Sequence, residues 1–120
     1  MTAIMIVEDE APARKMVSHA IKNKYGNTVS IYEASNGLDA LSAAAGFKPD
    51  ILLTDIKMPK MFGTELAHKI LELFPNCKII FLSGYSDKTF LKTAIKLQVI
   101  DYLEKPLDLD ELLNAADKAI

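Results

Sequence analysis

Short apolar runs alternate with helical patterns five times along this chain, and that alternation constrains its fold more than any other feature. Ala3-Ile4-Met5-Ile6-Val7 opens the series, and runs at 28–34, 51–55, 78–82 and 99–103 continue it. The runs at 3–7, 51–55 and 78–82 are apolar, the pattern of strands buried on both faces, and 99–103 is the last strand. The run at 28–34 alternates, which places it nearer a sheet edge. Between the runs, apolar residues recur at three and four. Pro12 falls in the first turn of helix one, where its missing N–H costs nothing. Ala13, Met16, Val17, Ala20 and Ile21 form that helix's inward stripe, and Tyr25-Gly26-Asn27 stops it. Asn36 is the expected N-cap of an Ala-rich helix ending at Gly46. Helix three covers 64–74 with Leu66, Ala67, Ile70, Leu73 and Phe74 inward, closed by Pro75. Helix four covers 87–97 and turns Phe90, Leu91 and Ala94 inward. Helix five begins near Asp108, with Asp108, Asp110 and Glu111 at its positive end. Strict β/α alternation with right-handed crossovers predicts a doubly wound, flavodoxin-like α/β fold: a five-stranded parallel sheet in the order 2-1-3-4-5 with helices on both faces.

At 120 residues the chain makes one domain, 1–120, able to bury roughly two-thirds of its unfolded surface. It ends on Asp117-Lys118-Ala119-Ile120 inside an unfinished helical pattern, which suggests a domain excised from a longer protein. A net charge of -2 argues against a nucleic-acid surface of its own. No apolar run approaches the roughly 20 residues of a membrane span, and no signal peptide precedes the first strand. One cysteine, Cys77, cannot pair internally. It fits a reducing cytoplasm, and its place before an apolar strand makes it a small core residue.

The third run carries the chemistry. Ile51-Leu52-Leu53-Thr54 ends abruptly on Asp55, and Pro59 and Gly63 break the chain before the next helix. Asp55 therefore stands at the carboxyl end of a central strand, the edge where open parallel sheets bind ligands. The first strand, its neighbour, ends on Glu8 and Asp9. Ser83 ends the fourth strand and Lys105 follows the fifth. Three carboxylates in one pocket would raise one another's pKa unless a cation intervened, and hard oxygen donors suit Mg²⁺. A main-chain carbonyl after Asp55, most simply that of Lys57, would complete the protein's share. An Asp carboxylate beside such a cation can take up a phosphoryl group, with Lys105 as a mobile charge and Ser83 as a hydroxyl donor. Gly84 leaves the approach open. The set reads as phosphoryl transfer onto Asp55 by positioning and charge neutralisation.

These residues resemble the receiver domain of bacterial two-component response regulators, the chemotaxis-regulator-like fold. The match spans essentially the whole chain. It is carried by Val7-Glu8-Asp9-Glu10, by Asp55-Ile56-Lys57-Met58-Pro59-Lys60-Met61-Phe62-Gly63, by Leu82-Ser83-Gly84, and by Asp101-Tyr102-Leu103-Glu104-Lys105-Pro106. The resemblance implies that Asp55 accepts the phosphoryl group of a sensor histidine kinase's phosphohistidine. It implies that Asp9, Asp55 and the Lys57 carbonyl hold Mg²⁺, with Glu8 reaching it through water or directly. Ser83 and Lys105 would hold the phosphoryl oxygens, Lys105-Pro106 would be cis, and the only activities would be self-phosphorylation and autodephosphorylation. Glu8 and Ser83 stand where the family more often has Asp and Thr.

The family also implies a switch, in which the Ser83 hydroxyl moves toward the phosphoryl group and Tyr102 turns inward. The output face would then be helix 4, strand 5 and helix 5. Lys88, Lys92 and Lys96 form a basic stripe on helix four, opposed in sign by Asp110 and Asp117 of helix five, which fits a homodimer through that face. Leu82-Ser83-Gly84-Tyr85 and Asp101-Tyr102-Leu103 resemble receivers fused to AraC-type DNA-binding domains. Two other functions are weaker. An FMN binder would want a Ser/Thr/Gly-rich loop where Glu8-Asp9-Glu10 would repel phosphate. A hydrolase would want a second carboxylate where Lys57 stands. His19 and His68 have no partner at ligand spacing and are assigned no chemistry.

Overall fold

A computed structural model of the chain describes residues 1–84 and 90–120. Tyr85, Lys88 and the expected start of helix four at Asp87 lie outside the described residues. Five strands form one parallel sheet in the order β2-β1-β3-β4-β5, as expected: β1 (Thr2–Val7), β2 (Val29–Ala34), β3 (Ile51–Asp55), β4 (Lys78–Ser83) and β5 (Asp101–Glu104). The helices between and after them are α1 (Ala11–Tyr25), α2 (Gly37–Phe47), α3 (Gly63–Leu73), α4 (Leu91–Lys96) and α5 (Leu109–Ala119).

Side chains alternate across a strand, so each central strand feeds two cores. Ile4, Ile6, Ile51, Leu53, Ile80 and Leu82 pack with Val17 and Ile21 of α1 and Leu112 and Ala115 of α5. Met5, Val7, Leu52, Ile79 and Phe81 pack on the other face, with Ala40 and Ala44 of α2, Leu66 and Ile70 of α3, and Ala94 of α4. Each fully buried Leu, Ile or Phe contributes about 1.5–3 kcal/mol. Because β3 is covered on both faces, all five of its residues are buried and the chain can emerge only at its ends.

Local chemistry sets the helix ends. The Asn36 side chain accepts the Asp39 N–H at 2.9 Å, and Asp108 Oδ1 accepts from Asp110 and Glu111 at 2.8 and 3.2 Å. Gly26, at φ 59, ends α1 with its N–H on the Lys22 carbonyl. The expected stop at Gly46 is displaced: α2 runs to Phe47, and Lys48 takes the left-handed conformation at φ 54.

Several helix faces differ from expectation. Met16 is 43% exposed and Ser18 is buried instead, because α1 also leans on α5 through Tyr25 and Lys24, which both bond Asp117. That rotates its buried stripe away from Met16. Leu73, in the last turn of α3, and Leu91, in the first turn of α4, are exposed, since the terminal turns run past the sheet. Phe74 and Phe90 are partly buried against the core. The fifth strand starts at Asp101, with Val99 and Ile100 ahead of it rather than within it.

Candidate functional site

β1 and β3 are neighbours, so the residues leaving their carboxyl ends meet. Glu8 follows β1 and donates its N–H to the Ala34 carbonyl, while Asp55 closes β3 opposite Leu82 of β4. Glu8, Asp9 and Asp55 each bring a carboxylate oxygen within 4.8 Å of the others. Glu8 and Asp55 are buried and Asp9 is exposed. Lys105, just past β5, bridges two of them: its Nζ donates to Glu8 Oε1 at 2.7 Å and to Asp55 Oδ2 at 3.1 Å. Asp55 Oδ1 accepts the Ile56 N–H at 3.0 Å, and Glu8 Oε2 accepts the Glu10 N–H at 3.2 Å.

The shared ammonium is divided unequally. Burial and then the charge of Glu8 push Asp55 up to about 7, and Lys105 offsets this only in part. Burial also opposes ionisation of Glu8, but Lys105 and the Glu10 N–H outweigh it and leave its pKa below the ordinary value. Asp9 is held up, first by desolvation and then by its bond with Glu8. On Lys105 burial works against the charge, yet the two carboxylates prevail and raise its pKa. Three carboxylates facing one ammonium remain short of positive charge. Their hard oxygen donors fit a divalent cation such as Mg²⁺.

The surroundings of Asp55 hold features the sequence reading missed. A Cβ at Gly63 would lie 2.0 Å from the Asp55 carbonyl oxygen, so Gly63 does more than break the chain: it lets the loop double back onto β3. Its N–H donates to the Ile56 carbonyl at 2.6 Å. The Thr54 hydroxyl donates to the same Asp55 carbonyl at 2.9 Å. Exposed Lys57 lies in the loop so drawn back, two residues past Asp55, and buried Met58 and Met61 anchor it. Phe62, at its end, meets Phe90 edge-on at 5.6 Å. Arg14 was also missed, since a lone arginine in a helical stripe gives no signal of what its side chain reaches.

Ser83 closes β4 one residue past Asp55's register partner. Its Oγ lies 2.9 Å from the Tyr102 hydroxyl and 3.1 Å from the Gly84 carbonyl oxygen. Tyr102 is half-buried and packs edge-on against Phe81 at 6.4 Å. Lys105-Pro106 is cis, as expected.

A family model for the response regulator receiver domain matches residues 4–117. The chain belongs to that family. It is 35% identical over 117 residues to an uncharacterized response regulatory protein of Staphylococcus epidermidis, covering 98% of this chain and 46% of that one. It is 34% identical over 119 residues to the chemotaxis protein CheY of Listeria monocytogenes, covering 99% and 98%. A solved structure of a two component transcriptional regulator AraC from Clostridium phytofermentans matches at a TM-score of 0.86 and 38% identity, covering 100% of this chain and 92% of that one. The chain spans about half the length of the staphylococcal relatives it matches, 46% and 42% for two of them. This is therefore the receiver domain of a two-component response regulator, a signalling domain of a family that works with histidine kinases. Among the described residues no helix is long and apolar enough to cross a membrane.

Proposed function

We propose that this receiver accepts a phosphoryl group on Asp55 from the phosphohistidine of a sensor histidine kinase, and that the transfer requires Mg²⁺. The observation that carries the reading is the convergence of Glu8, Asp9 and Asp55 within 4.8 Å, with Lys105 bonded to two of the three. Asp9 and Asp55 would be the direct ligands, Glu8 would contribute directly or through water, and the Lys57 main-chain carbonyl would add a neutral oxygen. When bound, the ion supplies charge neutralisation for the incoming group. The donor's P–N bond breaks as a P–O bond forms to an Asp55 carboxylate oxygen, and Lys105 and Ser83 hold the phosphoryl oxygens. The chemistry ends with self-phosphorylation and slow autodephosphorylation, without turnover of a small substrate.

Phosphorylation then favours a minor conformation of the α4–β5–α5 face through Ser83 and Tyr102. That face controls an output domain or partner, by homodimerisation in the simplest case. We place the protein in the cytoplasm, and an AraC-type output domain agrees with the transcriptional regulators among the relatives. The test is incubation with acetyl phosphate and Mg²⁺ followed by mass spectrometry. One phosphoryl mass on Asp55, lost with EDTA and absent from Asp55→Asn, is the expected result. An unmodified protein, or an adduct elsewhere, refutes the reading.

A further inference from the structure

Arg14 sits in the first turn of α1, and its side chain folds back over the connection that carries Glu8 and Asp9. Its Nη1 donates to the main-chain carbonyl of Glu8 at 2.8 Å, while its Nε lies 3.3 Å from Oε1 of Glu33 on β2. Glu33 in turn is paired with Lys15 at 3.2 Å. The Arg14 side chain is only 17% exposed and Glu33 23%, so neither is a loosely solvated surface group. The Glu8 N–H is already committed to the Ala34 carbonyl. Glu8 is therefore gripped at both main-chain polar groups, by β2 on one side and by Arg14 on the other.

We propose that Arg14, oriented by Glu33, is a positioning residue for the cation site: by fixing the Glu8 carbonyl it sets the peptide plane from which Asp9 projects. Asp9 is the exposed member of the three acids and makes no main-chain contact to a neighbouring strand among those described, so its direction depends on that plane. A planar guanidinium presents Nη1 and Nε to two different groups at once; an ammonium, with a single nitrogen, cannot. The inference rests on the Mg²⁺ reading above.

Position and charge make opposite predictions here, and that makes the test decisive. Arg14 is a cation beside a cation site, so charge alone would let its removal strengthen Mg²⁺ binding. Positioning requires the reverse. Calorimetric titration of the metal-free protein with MgCl₂ is expected to show binding weakened about tenfold in Arg14→Gln and in the charge-conserving Arg14→Lys, the size typical of lost outer-shell support. Glu33→Gln is expected to weaken it by a smaller factor, and to add nothing in the Arg14→Lys/Glu33→Gln double variant, because both changes break one connection. Thermal melts in EDTA check that the variants fold; Glu33→Gln and Arg14→Lys stand in should Arg14→Gln fail to fold. Folded variants that bind Mg²⁺ as tightly as the unchanged protein, or more tightly, overturn the positioning role alone. An unchanged protein that takes up no Mg²⁺ overturns the reading of the site, and this inference with it.

Discussion

Asp55 and Glu8 share one ammonium yet shift in opposite directions, and the sign of each shift fixes a pH dependence. Asp55 is held at about 7 against an ordinary 3.8. Its contribution to metal-free stability is present below 3.8 and is lost as pH rises toward 7. Glu8, held below its ordinary 4.5, contributes above that value and loses its contribution as pH falls. Above pH 5 the Asp55 effect therefore governs, and metal-free melting temperature should decline from pH 5 to 7.5. Ligation needs the ionised carboxylate, so Mg²⁺ affinity runs the other way, about tenfold weaker near pH 6 than near pH 8. Melts in EDTA and titrations at the two pH values check both signs; parallel trends contradict the assignment. Gly63 makes a second prediction at this scale. A methyl there meets the Asp55 carbonyl oxygen, so Gly63→Ala is expected to cost about 1–3 kcal/mol in urea unfolding and to slow labelling by acetyl phosphate. Asp55 and Lys105 were legible in the sequence because strand-end position announces them. Gly63 was legible only as a break, since the close approach that requires it joins two backbones, and no side chain records it.

Among the elements, the first four strands were read to within a residue of their ends, because apolar runs and alternation mark them, whereas β5, interrupted by Asp101, begins two residues later than expected. The helices were read less well at their margins. A three-four repeat gives the stripe but not how a second neighbour turns it, which is why Ser18 and not Met16 is covered on α1. Asp117 shows the same effect: it bonds Lys24 and Tyr25 of α1, so it is committed to holding two helices together and is not a free counter-charge for α4. Between β4 and β5 the Ser83–Tyr102 hydroxyl contact joins the site to the α4 side of the sheet. Tyr102→Ala is expected to accept phosphate normally while losing the phosphorylation-dependent change in partner affinity. Preserved coupling in that variant, followed by calorimetry with and without beryllofluoride, removes Tyr102 from the switch.

At the scale of the whole molecule, parallel strands carry the chemistry to one edge and leave the helices to carry the surface. The exposed apolar residues Leu91 and Ile95 on α4, with Lys92 and Lys96 on the same short helix, are what the homodimer proposal would set against a second copy. Sedimentation velocity should report a monomer that shifts toward a dimer when beryllofluoride and Mg²⁺ are added. A monomer in both states ends the homodimer proposal and leaves a different partner for that face. Sheet order and the meeting of strand ends followed from alternation together with right-handed crossovers, whereas nothing in one chain's residue pattern specifies what covers an outer face.

The seat of Asp55 has a mechanical consequence. The Asp55 carbonyl is held by the Thr54 hydroxyl and closed in by the returning turn at Gly63, so the main chain of residue 55 is fixed from two sides. Bulk and charge added to its side chain must then be absorbed by whatever surrounds it, and an anvil that does not give sends the whole blow outward.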